Sequence, residues 1–389
     1  MQRPEPIANV VLVSHCDFTG NSALHVLAVA SGLHARGLSP AIAVPENAES
    51  ADDVGRPSFP VLTYAEACTD ALRFPDGRGP DLVHCFTPRE AVRRLAVDLV
   101  AAHRCRYLVH LEDNEEAVMS TELRGLPVTV LRLLPRPLLD RIVGPRRFHP
   151  IRGQRFLEGA AGITVIVGRL LELAPEAVPS AVVGSGFDES VLSPRRPRDQ
   201  VRAELELAPG DLAIVYTGSI HRVNLDDMRD LYAAVAALRR DGHPVVLVKT
   251  GVNTPEPPDV AQLGAGLRDL GWVPRDVVPE LLAAADVLVQ PGRPGPYNDY
   301  RFPSKLPEFL ASGRPVVLPK ANVGLELQNG EEALVLERGD ADEIRDAVSR
   351  LAADPELRLR IGEQGRAFAL RELRWTRVVD RVAALYSRI

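Results

Sequence analysis

Lys305 and Glu308 stand three residues apart in Arg301-Phe-Pro-Ser-Lys-Leu-Pro-Glu-Phe-Leu-Ala-Ser-Gly-Arg-Pro-Val-Val-Leu-Pro319, so any helix containing them presents both on one face. Ser304 reads as the N-cap of that helix, and Pro307 is tolerated only in its first turn, where N–H groups are unpaired anyway. Gly313 closes the helix and Pro315 forbids its continuation. The amino end of such a helix offers free amides, including that of Leu306, and the positive end of a dipole. A lysine, these amides and a nearby carboxylate suit a diphosphate joined to a ribose, the cation and amides taking phosphoryl oxygens and the carboxylate taking hydroxyls. The same residues would also make an ordinary capped helix with a surface ion pair.

A second constellation follows the apolar run 212–217 and reads Gly218-Ser-Ile-His-Arg-Val-Asn-Leu-Asp-Asp227. A glycine at the carboxyl end of a strand lets a ligand approach the backbone, and Arg222 then reaches toward a phosphate. Arg222 and Lys305 together would neutralise a diphosphate leaving group without a metal ion. Lys249, at the end of the next apolar run, is a third candidate cation. Of 46 cationic side chains only Lys249, Lys305 and Lys320 are lysines, so an ammonium stands out wherever it occurs.

These residues need elements to hold them. In the first half, apolar runs at 9–13, 41–44, 81–86, 106–111, 162–167 and 181–183 alternate with helical periodicity at 21–36 and 89–104, the pattern of a parallel, helix-covered sheet. The proline-rich, charged stretch 188–199 reads as a linker. The alternation then restarts: strand 212–217, helix 226–240, strand 244–249, helix 259–268 and a strand near Leu270. It continues with helix 277–285, strand 286–290, the Lys305 helix, strand 315–318 and helices 340–353 and 355–388. Two α/β halves result, and sheets of this kind bind ligands outside the carboxyl ends of their strands, here in the cleft between halves.

The totals bound the function. Lys plus Arg number 46 and Asp plus Glu 52, for a net charge of −6, which argues against nucleic acid as a partner. No apolar run approaches the roughly 20 residues that a spanning helix needs, and the opening 13 residues show no cleavable leader pattern. Cys16, Cys68, Cys85 and Cys105 lack metal-binding spacing and read as buried thiols of a reduced, cytoplasmic protein. The segment 131–155 mixes Leu, Ile and Phe with Arg132, Arg136, Arg141, Arg146, Arg147, Arg152 and Arg155. It is either a solvated arginine-rich face or a surface for peripheral contact with an anionic membrane or an anionic acceptor. A nicotinamide dehydrogenase is disfavoured, because no G-x-G-x-x-G follows an early strand.

Several segments occur in one order that resembles a known family: Gly218 with its basic neighbour, Leu270-Gly-Trp-Val-Pro274, Leu281-Leu-Ala-Ala-Ala-Asp-Val-Leu-Val289 and Pro303-Ser-Lys-Leu-Pro-Glu-Phe-Leu-Ala-Ser-Gly-Arg-Pro-Val-Val317. The order resembles the donor-binding domain of the retaining glycosyltransferases of family 4, the group 1 glycosyl transferases. Asn329-Gly-Glu-Glu-Ala-Leu-Val335 resembles the family's N-G-x-x-G-x-L-V segment, and Val183-Gly-Ser-Gly-Phe-Asp188 its domain junction. Thr19-Gly-Asn-Ser-Ala-Leu-His-Val-Leu27 resembles the glycine turn and first helix of the acceptor domain. The resemblance implies the GT-B fold: an α/β protein of two Rossmann-like parallel-sheet domains facing across a cleft. Residues 1–187 would form the acceptor side and 188–370 the donor side, with a terminal helix 371–389 crossing back to the first domain.

Roles carried over with the resemblance are expectations. Arg222 and Lys305 would hold the donor diphosphate with Gly218, Ser219 and the amides of the Ser304 helix, while Gly20 marks the glycine turn of the first domain. Glu308, in the second position of Glu-x7-Glu, would accept ribose hydroxyls, and Trp272 and Val273 would meet the nucleobase. His110 falls where the family has a histidine near the transferred sugar; Glu112 and Asp113 would orient the acceptor hydroxyl. The first glutamate is replaced by Tyr300, with Asp299 and Arg301 beside it, which leaves the sugar open. The implied activity is transfer from a nucleoside-diphosphate sugar, a UDP-sugar by preference, to an acceptor hydroxyl with retention, and with no metal cofactor. A nucleotide-sugar 2-epimerase and a degenerate sugar-nucleotide-binding partner subunit share the architecture and are the alternatives.

Overall fold

A computed structural model describes residues 7–255 and 260–389; residues 1–6 and 256–259, which include the first residue of the helix expected at 259–268, lie outside the described residues. Two compact units divide the chain. One runs to Ser185 and takes in Tyr300–Phe302 and Trp375–Ile389; the other comprises Gly186–Asp299 and Pro303–Arg374.

The first unit holds β1 (Asn9–Val13), β2 (Ser39–Val44), β3 (Val61–Thr63), β4 (Leu82–Phe86), β5 (Arg106–Leu111), β6 (Gly162–Val165) and β7 (Ser180–Val182). They form one parallel sheet in the order β3-β2-β1-β4-β5-β6-β7. Its central strands are buried throughout, because helices cover both faces and leave no side for polar alternation. Helices Asn21–His34 and Trp375–Tyr386 pack together on one face, where Val26, Leu33, Val378, Val382 and Tyr386 join Leu12 and Ile42 in one core. The register sets Phe86 beside His110 and His110 beside Thr164 across three adjacent strands. His84, two residues before Phe86, therefore lies on the same face as all three.

The second unit continues with β8 (Leu212–Thr217), β9 (Ile220–His221), β10 (Val245–Thr250), β11 (Asn253–Thr254), β12 (Leu267–Asp269), β13 (Val287–Val289), β14 (Val316–Pro319) and β15 (Leu334–Leu336). Six of them make a parallel sheet in the order β12-β10-β8-β13-β14-β15, and β9 and β11 pair separately.

Several expectations need correction. Residues 260–266 form two short 3-10 turns rather than a helix, broken at Gly264, whose φ is +47°. The long final helix is two, Pro355–Glu372 and Trp375–Tyr386, separated at Leu373, whose carbonyl accepts the Phe187 N–H. The stretch 188–199 is not a free linker: the Glu280 carboxylate accepts the amides of Arg195 and Arg196 at 3.0 Å each, and Asp286 binds Arg198 and Arg202. The short strands β3 and β15 were missed. Of the four free cysteines only Cys85 is buried.

Candidate active site

In the second unit, the turns after β8 and β10 pack backbone against backbone. Gly251 has φ +87°, and a Cβ there would stand 2.5 Å from the Gly218 carbonyl carbon. The turn is fastened further by the Gly251 N–H to the Gly271 carbonyl, 2.6 Å, and by the Val252 N–H to Ser219 Oγ, 3.1 Å. Asn224 holds the far side, accepting the His221 N–H at 2.7 Å and donating to the Ser219 carbonyl at 3.1 Å. Lys249 is committed beneath this platform. Its buried ammonium donates to the carbonyls of Thr250 and Gly251, 3.1 Å each, and faces Asp269 at 3.4 Å. Burial pulls its pKa down. Lys249 therefore shapes the turn rather than offering a free cation to a phosphate.

Lys305 is the cation at the platform. Its Nζ lies 3.2 Å from the Tyr216 hydroxyl and 4.6 Å from the Tyr216 ring centroid. A Cβ on Gly218 would meet Lys305 Cε and Nζ at 2.8 Å, so the missing side chain at 218 is what admits the ammonium. The helix itself is Leu306–Ala311, less than two turns, with Lys305 at the N-cap position and no side-chain cap bond. Ser304 is thus not the N-cap. It is exposed in a turn that closes when the Leu306 N–H bonds the Pro303 carbonyl at 2.9 Å, so the Leu306 amide is not the free donor expected, and Pro307 fits because its first-turn position requires no N–H.

Nor do Lys305 and Glu308 pair with each other. The buried Glu308 carboxylate accepts from Arg275 and from the Asp188 amide. Burial raises its pKa, and Arg275 opposes the rise. Arg222 is exposed on the loop between β9 and helix Leu225–Arg240 and makes no hydrogen bond or ion pair among the described residues. Trp272 is 74% exposed after β12, with Val273 half-buried beside it. A cavity of about 910 Å³ opens at the opposite end of this sheet, lined by Arg198, Arg202, His243, Asp286 and Arg358 among others; Asp286 pairs with Arg198 and Arg202.

In the first unit, titratable side chains gather at the carboxyl ends of β1, β4 and β5. His110 is 1% exposed, with Nδ1 2.9 Å from Thr164 Oγ1 and Nε2 without a partner. His25 Nε2, His15 Nδ1 and Thr87 Oγ1 are likewise buried and unpartnered, a concentration that marks a place for a polar ligand. Burial holds His110 well below its usual pKa, and takes His15 to about 3 and His25 to about 4. The rings are neutral at pH 7.

Glu112 accepts from Ser22 Oγ at 2.7 Å, and burial pushes its carboxyl up to about 7. Glu115, bound by Arg89 Nε at 2.9 and 3.0 Å, is also raised to about 7 by burial. Asp113 is raised by burial, with Arg89 and Arg301 opposing. One ligand atom each from His25, His110 and Glu112 lie within 4.8 Å of one another, a set of the kind that can hold a divalent ion. Gly20 sits in the turn before helix Asn21–His34, against Cys16.

Tyr300 belongs to this unit: its hydroxyl donates to Glu172 at 2.9 Å and its ring faces Arg169 at 5.8 Å. Asp299 accepts the Gly295 N–H at 3.0 Å. The residues that sequence reasoning passed over are Tyr216, Arg275, His25, Arg89, His84 and Thr164. Only His25, inside the quoted glycine-helix segment, carried a local signal.

The segment 131–155 folds as helix Arg136–Val143 and the start of helix Arg152–Glu158. Leu131, Leu139 and Val143 are buried with Met119 and Val128. Glu116, Glu122 and Asp140 pair with Arg132, Arg147 and Arg152. Arg136, Arg141, Arg146 and Arg155 are exposed with no ion pair among the described residues, beside Val130, Leu133 and Leu138 at 43%, 85% and 46% exposure.

Two parallel-sheet units with polar clusters at strand carboxyl ends define a twin Rossmann-like protein. Residues 211–354 match the family model described as Glycosyl transferases group 1. Over 98% of this chain and 100% of the other, the fold superposes on Anabaena Alr3699/HepE in complex with UDP, with TM-score 0.72 and 16% identity. It also superposes on WaaG, a glycosyltransferase involved in lipopolysaccharide biosynthesis, with TM-score 0.65, 15% identity and coverage of 96% and 98%. The chain has the GT-B architecture, and its residues 211–354 are similar to the group 1 glycosyl transferases. Among curated proteins, the MMP alpha-(1->4)-mannosyltransferase of Mycolicibacterium hassiacum is 29% identical over 53% of this chain and 48% of its own length. The alpha-D-kanosaminyltransferase of Streptomyces kanamyceticus is 29% identical over 40% and 41%. This chain thus spans about half or less of the length of these relatives.

Proposed function

We propose that the protein transfers a glycosyl group from a nucleoside-diphosphate sugar, a UDP-sugar by preference, to an acceptor hydroxyl with retention of configuration. The observation that carries this reading is the Lys305 ammonium beside Gly218, a cation held by a tyrosine hydroxyl rather than a carboxylate at the carboxyl end of β8. Such a site favours the growing charge on a departing diphosphate. Arg222, exposed on the adjoining loop, adds a second cation when a nucleotide is bound, and no metal ion is required. Glu308 takes the ribose, with Trp272 and Val273 near the base. His110 and Glu112 meet sugar or acceptor hydroxyls.

In the reaction the anomeric C–O bond to the diphosphate breaks and a C–O bond to the acceptor forms on the same face. The acceptor proton passes to the departing phosphate oxygen. Two of the three curated relatives are named for α-configured transfer, and an α-product from an α-configured sugar nucleotide is a retained centre. No helix among the described residues is long and apolar enough to cross a membrane. The exposed Leu133, Leu138 and unpaired arginines support peripheral contact with an anionic, cytoplasmic membrane face.

The test is a panel of nucleotide sugars scored by thermal shift, since a ligand that binds only the folded state stabilises it, followed by assay of nucleoside diphosphate release with and without EDTA. Stabilisation by a UDP-sugar and release that survives EDTA are expected. A panel with no stabilising nucleotide sugar, or an isomerised free nucleotide sugar as the product, overturns the proposal.

A further inference from the structure

A buried hydrogen-bond chain links the carboxy-terminal helix to His110. Tyr386 OH lies 2.8 Å from His84 Nδ1; His84 Nε2 lies 3.0 Å from Thr164 Oγ1, and Thr164 Oγ1 lies 2.9 Å from His110 Nδ1. All four residues are buried, with exposures of 5%, 0%, 0% and 1% in that order. The arrangement follows from the sheet: His84, Thr164 and His110 share a face of β4, β5 and β6, and helix Trp375–Tyr386 covers that face.

Three proton arrangements satisfy all three bonds, because each ring is neutral and each hydroxyl has one proton and two lone pairs. In one of them both rings donate to Thr164, whose own buried proton is then left without an acceptor among the described residues. The other two run along the chain in opposite directions. Burial keeps the His84 pKa near 3 and that of His110 well below 6.5, so neither ring is doubly protonated at neutral pH. In the first direction Tyr386 donates to His84 Nδ1, His84 Nε2–H donates to Thr164, and Thr164 donates to His110 Nδ1. Every proton is used except one on His110 Nε2. In the second direction His110 Nδ1–H donates to Thr164, and the order reverses. Tyr386 O–H is then left without an acceptor, since His84 is its one side-chain partner among the described residues. A buried hydroxyl proton with no acceptor is costly, so the first direction prevails.

We propose that Tyr386, acting through His84 and Thr164, fixes His110 in the tautomer that carries its proton on Nε2, making this unpartnered nitrogen a hydrogen-bond donor to an oxygen of the bound sugar. Tyr386, His84 and Thr164 are positioning residues; His110 alone touches the ligand. The part of this inference that concerns the sugar rests on the glycosyl-transfer reading above, whereas the tautomer stands on the hydrogen bonds. A bare His110 Nε2 is what a metal ion would require, so the proposal also separates hydrogen bonding from metal ligation by His25, His110 and Glu112.

The experiment is nitrogen NMR of the full chain labelled at its 9 histidines, with the His110 signals identified by their loss in His110→Gln. A protonated Nε2 and a bare Nδ1 are expected in the unmodified protein. Tyr386→Phe and Thr164→Val should each move His110 toward the other tautomer, and Thr164→Ser should restore the original pattern. Zinc alone should leave the His110 signals in place. A protonated Nδ1 in the unmodified protein, unchanged His110 signals in both Tyr386→Phe and Thr164→Val, or zinc-induced displacement overturns the proposal. In kinetics, Tyr386→Phe should lower kcat/KM for the sugar nucleotide about ten-fold while the dissociation constant of UDP stays within two-fold. If UDP itself fails to bind, the donor reading falls while the tautomer measurement still decides this one.

Discussion

The Lys305 ammonium rests on Tyr216, 3.2 Å from its hydroxyl and 4.6 Å from its ring centroid. The pairing holds a cation near the backbone of Gly218 without neutralising it, since Tyr216 contributes a dipole and a π face rather than a counter-charge. A phosphate can then compete for the ammonium with no carboxylate to displace. Lys305→Ala should lower kcat/KM for the sugar nucleotide by about 10- to 150-fold, the equivalent of ~1.5–3 kcal/mol for a charge-assisted hydrogen bond. Tyr216→Phe keeps the ring and removes a neutral partner worth ~0.5–1.5 kcal/mol, so its loss should stay near ten-fold or below. Steady-state kinetics of the two variants checks the order; a Tyr216→Phe loss exceeding that of Lys305→Ala contradicts it.

Gly218 and Gly251 should fail in different ways. A Cβ at Gly218 meets side-chain ends, Lys305 at 2.8 Å and the Tyr216 hydroxyl at 3.2 Å, whereas a Cβ at Gly251 meets backbone at 2.5 Å in a residue with φ +87°. Gly218→Ala should therefore fold with a near-normal melting temperature and weaken donor binding by displacing the ammonium. Gly251→Ala should lower the melting temperature outright, by several degrees or more, because both the left-handed backbone and the packing of two turns are violated. Calorimetric melting with UDP titration of both variants separates the cases.

The alternation of Val- and Leu-rich runs made the parallel sheets readable, because strands buried on both faces must be continuously apolar. Glycines and prolines around Lys305 likewise exposed a short helix. Its start was misread because Ser304 looks like a cap, while the Pro303 carbonyl actually closes the preceding turn. Tyr216 was illegible: an aromatic residue at the end of an apolar strand looks like core, and in part it is. The Arg275–Glu308 contact spans 33 residues and the His84–Tyr386 bond spans 302, so neither leaves a local spacing to detect. Lys249 was a candidate ligand cation by residue type and by its place at the end of an apolar run, and the fold buries it against carbonyls instead.

Glu308 gives a test of ribose recognition. Its carboxylate is held by Arg275, whose side chain is 66% exposed and free to swing aside. A ribose hydroxyl pair would replace that contact. Unmodified protein should bind UDP more tightly than its 2′,3′-dideoxy analogue, and Glu308→Ala should erase most of the difference by weakening UDP alone. Equal discrimination in the two proteins, measured by calorimetry, contradicts a ribose role for Glu308.

The arginine-rich surface of the first unit predicts charge-dependent membrane contact. Leu133 is 85% exposed, and of the arginines in its segment Arg136, Arg141, Arg146 and Arg155 have no ion pair among the described residues, the composition of an interfacial anchor. Cosedimentation with vesicles containing phosphatidylglycerol should retain the protein at low salt and lose it with neutral vesicles. Leu133→Glu combined with Arg136→Glu should abolish retention and leave UDP binding unchanged. Retention that persists in the double variant sinks the assignment of this face.

Stability should climb with pH and level off near pH 7, because two sets of buried groups oppose each other. Burial raises Glu112 and Glu115 from 4.5 to about 7. Their contribution is full below pH 4.5 and is lost as pH rises toward 7, where the folded state must ionise carboxyls away from water. Burial lowers His15, His25 and His84 from 6.5 to about 3, 4 and 3, and lowers His110 as well. Their contribution is full above pH 6.5 and is lost as pH falls, because the unfolded chain takes up protons that the folded rings refuse. Between pH 4.5 and 6.5 the four histidines outweigh the two carboxyls, so melting temperature should climb with pH; near pH 7 the two sets balance and the profile should level off. Glu112→Gln with Glu115→Gln should steepen the climb between pH 4.5 and 7. A melting profile of the double variant parallel to that of the unmodified protein over that range means that these carboxyls do not titrate near 7 in the folded state.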